Sequence, residues 1–275
     1  MRSTFCFRAL FLISALAIGC LSIATVSAFN RRDLVLVNIL WPMVRAGLNA
    51  HQNERPLLPA MLQAVAGGAM MQHGLELASD CRGNQGFEVW KAKLLFNAGA
   101  SLAECAGDRD LQFRMDLGPV WMVADGHTVK FKPAIHGIIA PFLNMSDGSK
   151  FDFGRSLKYG TTTFRRDPNR DGTITSGGAL AYSNANNIVT NPSGSHLGHE
   201  LIHTLQYRRD AFLSVPVTHL FPKLQKLLPQ NFIDDTGWGV NWATQRLWAD
   251  WTGKNPDFDI YMEKEAYYLA DGIHF

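Results

Sequence analysis

No sign of charge prevails in this chain: 26 Lys and Arg stand against 24 Asp and Glu, for a formal net charge of +2 and a pI near 8.3. Nor is there any basic run interleaved with aromatics, so a polyanionic partner is not expected and nucleic-acid binding has no support. Cysteine is scarce. Of four, Cys6 and Cys20 fall in an apolar N-terminal stretch, leaving Cys81 and Cys105, neither with a Cys or His close enough in sequence to suggest a cysteine metal site. Glutamate runs out toward the C-terminus, where only Glu263 and Glu265 follow Glu200. Apolar residues are not lacking: 47% are hydrophobic and 18% charged, which argues against disorder. A length of 275 residues has room for one large domain or two small ones.

The N-terminus has the layout of a targeting segment. Arg2 and Arg8 form a charged start, Ala9 to Ala24 is nearly all apolar, and Val26-Ser27-Ala28 offers the small residues at which a signal peptidase cuts. Residues 1–28 are therefore read as a signal peptide and set apart from the fold. The stretch 9–28 is also long enough to stay as a membrane anchor. Ala17-Ile18-Gly19-Cys20 loosely matches a lipoprotein cleavage site without its usual Leu. The chain is thus expected to be exported, periplasmic or secreted, with anchoring through 9–28 as the alternative. In an oxidising compartment the pair Cys81 and Cys105 reads as one disulfide; two free buried thiols are the alternative.

The strongest local signal is Gly198-His199-Glu200-Leu201-Ile202-His203-Thr204-Leu205-Gln206-Tyr207, which contains His-Glu-x-x-His. On a helix, positions i and i+4 share a face, so His199 and His203 can address one metal ion. Imidazole suits Zn²⁺. Glu200 falls about a quarter-turn aside, where its carboxylate reaches toward an activated water rather than the metal, the placement of a general base. Chance gives such a pattern in roughly one comparable chain in a hundred, so it is specific. Leu201, Ile202 and Leu205 supply apolar faces, no Pro or Gly interrupts Glu200 to Tyr207, and Ser193 or Ser195 can cap the start. The plainer alternative is an amphipathic helix with ordinary histidines.

A catalytic zinc site needs a third protein ligand. Glu263 and Glu265 both lie in Tyr261 to Asp271, which is free of Gly and Pro and reads as a helix capped by Asp257 or Asp259. Two positions apart on a helix means about 200° apart, so only one can face a metal. Periodicity leaves the choice open. Glu263 shares a face with Ile260, Ala266, Tyr267 and Ala270, and Glu265 with Tyr261, Met262, Tyr268 and Leu269. His196 suits a place on the rim. His219, Tyr267 and Tyr268 are candidates to hydrogen-bond a substrate oxyanion, with plain packing as the alternative.

Gly198, His199, Glu200 and His203 resemble the zincin metallopeptidases, and among them the gluzincins. Thr204-Leu205-Gln206 also looks like the extension in several bacterial membrane-associated or secreted members. The resemblance covers the last third of the chain at most. Glu263 to Ala266 is similar to the gluzincin Glu-x-x-Ala-Asp helix, whose first Glu binds zinc. Aligned on Ala266, that ligand is Glu263, with Glu265 second choice, and the family's Asp falls at Tyr267, a departure. Trp248-Ala249-Asp250-Trp251 echoes the Ala-Asp run, but Arg246 stands where its Glu belongs, so Asp250 is a minor candidate. The resemblance implies peptide-bond hydrolysis of a peptide or protein, one Zn²⁺ held by His199, His203 and Glu263, and Glu200 as base. It also implies a strand beside the active-site helix, locally Asn187 to Thr190, on whose edge an extended substrate can pair. The motif alone implies only metal-assisted hydrolysis. A non-catalytic exported protein with a structural or degenerate zinc site is the alternative function.

Elsewhere the pattern changes near residue 110. Residues 29–110 read as helical: Leu34 to Ala50, which Pro42 should kink or split; Leu57 to Leu77, with Gly67-Gly68 a candidate break; and Phe87 to Ala98, which a Cys81–Cys105 bond would bracket. Residues 111–275 combine a β-rich segment with the catalytic region, packed as one unit with 29–110. Expected strands are Gln112 to Met115, Val120 to Ala124 and Thr128 to Lys132, with an Asp125-Gly126 hairpin turn, then Lys150 to Phe153, Tyr159 to Arg165 and Gly172 to Thr175. His127 and His136 read as structural or surface residues. Asp167 to Ile174 copies the front half of a calcium loop, but position twelve is Gly178 rather than Glu. Ca²⁺ is therefore not expected, and a tight turn is the simpler reading. Trp238, Trp242, Trp248 and Trp251 read as core packing. The resulting fold class is α+β: a helical N-terminal part, a central mixed or antiparallel sheet and a helical C-terminal part carrying the motif, zincin-like by resemblance.

Overall fold

The computed structural model describes residues 36–81, 85–107, 111–166, 182–184, 187–190, 196–210, 245–247, 249–253 and 261–271. The expectations for residues 1–28, the loop 167–174, strand Gly172 to Thr175, His219, Trp238, Trp242 and Trp248 lie outside the described residues. So do the caps at Ser193, Ser195, Asp257 and Asp259.

A π-helical turn, Leu36–Leu40, runs straight into α1 (Trp41–Gln52). Pro42 sits in the first turn of α1, where a missing N–H costs nothing. The expected kink is instead a change of helix type at Leu40. Next, α2 (Leu57–Ser79) and α3 (Gly86–Cys105) pack antiparallel. Gly67-Gly68 does not break α2. A Cβ on Gly67 would lie 2.5 Å from the Gly99 carbonyl oxygen and 2.7 Å from Ala103 N, so the glycines let the two backbones touch. The packing gained outweighs the helix cost of glycine, about 1 kcal/mol each.

The strands β1 (Phe113–Asp116), β2 (Val120–Ala124) and β3 (Val129–Pro133) form an antiparallel meander. Asp125 closes the β2–β3 turn by accepting from His127 N at 3.1 Å and Thr128 N at 2.8 Å. Helix α4 (Ile135–Ser146) has no counterpart in the sequence reading, because Pro141 inside it argues against a helix. Then come β4 (Lys150–Phe151), α5 (Phe153–Tyr159) and β5 (Thr162–Arg165). The strand expected through Phe153 ends at Phe151, because Asp152 caps α5 by accepting from Arg155 N at 3.0 Å. For the same reason Tyr159 is helical rather than extended.

With β6 (Tyr182–Asn184) and β7 (Asn187–Thr190), a second sheet runs in the order β4-β5-β7-β6, with β5 and β7 parallel and the other pairs antiparallel. This corrects one expectation. Asn187 to Thr190 is a strand, but it has neighbours on both sides, so it offers no edge to a substrate.

Helix α6 (Leu197–Asp210) carries the His-Glu-x-x-His. Its Leu197, Leu201, Ile202 and Leu205 join Met71, Leu75, Phe96, Ile188 and Ala266 in one core, so the N-terminal helices and the C-terminal part share it. Every side chain from Leu197 to Arg209 is buried. Gly198 lets α6 approach α2: a Cβ there would stand 2.6 Å from the Ser79 carbonyl oxygen. Helical residues 245–247 and 249–252 precede α7 (Tyr261–Ala266), which runs on as a π-helical turn, Tyr267–Asp271. Trp251, expected in the core, is 87% exposed. Among the described residues the fold is α+β, rich in helix, with two small sheets.

The expected disulfide is not formed; Cys81 and Cys105 are free, buried thiols. Cys81 follows the end of α2, whereas Cys105 ends α3, whose 20 residues span about 30 Å. A disulfide needs Cα atoms within about 7 Å. The Cys81 thiol lies 3.3 Å from the Leu77 carbonyl oxygen, to which it donates. Among the described residues, no helix is long and apolar enough to cross a membrane.

Candidate metal centre

One turn of α6 puts the His199 and His203 rings side by side, with centroids 4.8 Å apart and Nε2 atoms 3.1 Å apart. Helix α7 brings Glu263 to the same point, its Oε2 lying 3.4 Å from His199 Nε2 and 3.3 Å from His203 Nε2. Among the described residues, this is the group of His, Cys, Asp or Glu side chains whose ligand atoms converge, all within 4.8 Å of one another.

The outer nitrogens show why the rings hold this pose. His199 Nδ1 lies 3.1 Å from Asp271 Oδ2, and His203 Nδ1 lies 2.7 Å from Gln206 Oε1. The Gln206 amide is fixed in turn, its Nε2 donating to Met262 O at 2.9 Å and to Glu265 Oε2 at 2.8 Å. Carboxylate and amide oxygens only accept, so each Nδ1 carries a proton and each Nε2 is the atom turned to the shared point. Histidines that bind metals are oriented by such hydrogen bonds.

Glu265 goes elsewhere. It is fully buried and accepts from Arg209 at 2.7 and 2.9 Å, from Asn38 at 3.0 Å and from Gln206. The two glutamates thus face opposite ways, one toward the imidazoles and one toward a core arginine. Asp250 is exposed and outside the cluster, His196 is half-buried just before α6, and Tyr268 is half-buried beyond α7. Tyr267 packs edge-on against His199 with ring centroids 4.5 Å apart.

Sequence reasoning missed Gln206 and Asp271. Gln206 was legible, three residues after His203 on the same helix face. Asp271 was not. It follows Glu263 by eight residues, which on a regular α-helix puts it about 80° away. The π-helical turn Tyr267–Asp271 underwinds the chain and returns Asp271 to the metal face.

The protonation pattern suits a cation site. Burial pulls His199 down, but hydrogen bonds to Asp271 and Glu263 outweigh it and hold the ring at about 10. Burial likewise opposes a charge on His203, and Glu263 raises it regardless. Burial would lift Glu263, yet the charge on His203 and the hydrogen bonds from both rings hold it below the usual carboxylate range. Three coupled groups that trade protons at one point are groups a divalent cation can organise. Two imidazole nitrogens and a carboxylate oxygen form a donor set for first-row divalent metals.

Glu200 stands apart from this exchange. Burial pushes its carboxyl up to about 7, against the pull of His203 and His199. Its Oε2 is buried and has no hydrogen-bond partner among the described residues. A carboxylate poised near neutral pH is matched to general-base work.

The chain matches no protein-family model, no curated protein and no solved structure.

Proposed function

We propose that this protein is an exported zinc-dependent hydrolase, a metallopeptidase of the zincin type similar to the gluzincins, acting on peptide or protein substrates. The observation that carries the reading is the meeting of His199 Nε2, His203 Nε2 and Glu263 Oε2, with both outer ring nitrogens tied to acceptors and Glu200 alongside. His199, His203 and Glu263 hold the ion. When bound, zinc supplies Lewis acidity for a water and for the scissile carbonyl. Glu200 takes the water's proton at its carboxylate and passes it to the departing amine. Asp271 and Gln206 keep the two rings aimed. Residues 1–28 serve as the signal peptide, with anchoring through 9–28 as the alternative.

The test is Glu200→Gln in the full chain, with elemental analysis and cleavage of unlabelled protein followed together. The wild type should carry zinc and cleave, with activity abolished by a chelator. The variant should keep zinc and lose turnover by about a hundredfold or more. Unchanged cleavage by the variant would overturn the mechanism.

A second reading rests on burial. His199 and His203 are each under 10% exposed, and the cluster bridges α6 to α7, so an ion there would staple the C-terminal helix to the core. Unfolding on chelation without any proteolysis would favour such a structural zinc.

A further inference from the structure

An apolar cleft among the described residues shares no residue with the metal centre. Between α4 and α5 an open cleft of about 670 Å³ is lined by Trp90, Ile138, Phe142, Phe151, Phe153 and Leu157 among others. These are not core residues that happen to border a hole. Phe142 and Phe153 are each 65% exposed, Leu157 61%, Phe151 49% and Ile138 40%. Soluble monomers rarely gather so many exposed large apolar side chains unless something covers them.

Charge says what covers them. Residues 129–166 contain seven Lys and Arg against two Asp, or +5 in a chain whose total is +2. Arg155 and Arg165 are tied to Asp152, and Lys130 reaches Asp125 at 3.6 Å. Lys132 and Lys150 are exposed and Lys158 is half-buried, the last two adjacent in sequence to Phe151 and Leu157 of the cleft. Aromatic and aliphatic side chains set among lysines make the pattern of a surface that enters the interface of an anionic bilayer. Two copies of this face would set like charges against each other. An extended peptide would need a strand edge to pair with, and β4, at the edge beside the cleft, is two residues long.

We propose that the α4–β4–α5 face docks on the surface of membranes containing anionic phospholipid, with Phe142, Phe151, Phe153 and Leu157 entering the acyl boundary and Lys132, Lys150 and Lys158 meeting the headgroups. The inference is independent of the metal chemistry.

The experiment is flotation of the full chain with vesicles of phosphatidylcholine alone and of phosphatidylcholine with phosphatidylglycerol. Binding should require phosphatidylglycerol and weaken with salt. The pair Phe142→Ser and Phe153→Ser, and separately the pair Lys150→Glu and Lys158→Glu, should each lower the partition coefficient about tenfold or more. Melting should be unchanged for the phenylalanine pair, whose side chains are exposed, and nearly so for the lysine pair, of which only Lys158 is half-buried. The apolar stretch 9–28 is the same in every variant. Binding that neither pair alters therefore belongs to that stretch and overturns the proposal. So does equal binding to phosphatidylcholine alone. A dimer in sedimentation that the phenylalanine pair dissolves, without vesicle binding, overturns it in favour of self-association.

Discussion

Replacing Glu265 by alanine takes a carboxylate away from buried Arg209, whereas the same change two residues earlier should empty the metal site and leave the core intact. The Glu265 carboxylate is 0% exposed and Arg209 4%. Breaking a buried ion pair from one side costs about 3–5 kcal/mol, because the surviving charge stays buried after the carboxylate that accepted two of its hydrogen bonds is gone. The other two donors keep alternative acceptors: Asn38 Nδ2 still has Gln72, and Gln206 Nε2 still has Met262 O. Their loss adds little. With a urea m-value of about 3 kcal/mol/M for a chain of this size, the unfolding midpoint of chelator-treated Glu265→Ala should fall by about 1–1.7 M. The Glu263 side chain is 25% exposed, and its partners are imidazoles that can shed their protons. Glu263→Ala should therefore cost about 1–2 kcal/mol in metal-free protein and lose its zinc. Urea unfolding followed by tryptophan fluorescence, alongside elemental analysis of each variant, reads both quantities. A lost midpoint in Glu263→Ala together with lost zinc in Glu265→Ala would mean that the two glutamates have exchanged roles, and the geometry given above would be wrong.

Three other outcomes are expected. Asp271→Ala frees the His199 ring and should weaken zinc affinity 10–100-fold in a competition titration; an unchanged affinity would remove Asp271 from the site. Gly198→Ala puts a methyl 2.6 Å from the Ser79 carbonyl oxygen, a backbone atom that cannot swing away, and should cost about 1–3 kcal/mol of stability in denaturant unfolding. His199 and His203 are both held above the ordinary histidine value of 6.5, His199 at about 10. Groups whose folded pKa is raised stabilise fully below the unfolded value and lose that contribution as pH rises through the folded one. Chelator-treated protein should therefore melt lower as pH climbs from 6.5 toward 10. Over the same window zinc competes with fewer protons, so the gap in Tm between loaded and chelated protein should widen.

Local chemistry was legible where it depends on near neighbours along the chain. The i, i+4 spacing of His199 and His203, the adjacent Glu200, the Asp125-Gly126 turn and the helices around Leu57 to Leu77 and Phe87 to Ala98 are all written at short range, and each is seen in the structure. The failed disulfide was not decidable in this way. The expected helix, Phe87 to Ala98, spans about 18 Å and leaves chain on both sides to bridge back; it is the run of α3 through to Cys105, about 30 Å long, that excludes the bond. Asp152 capping α5 was visible as well, although the strand pattern around it was read first.

What tertiary structure alone decided is which distant groups meet. Two glutamates about 200° apart on one helix are equivalent by periodicity, and only the resemblance favoured Glu263 over Glu265. Arg209 and Asn38 claim Glu265, and only then does Glu263 fall to the imidazoles. The underwound turn that returns Asp271 to His199, and the strand β5 that turns β7 from an edge into an interior strand, have no local signature either. The physical reason is common to all of them. Side-chain spacing along a helix or strand is set by its own backbone geometry, whereas the choice among equivalent partners is set by burial, which forces each buried charge to find a counter-charge that the chain supplies from far away.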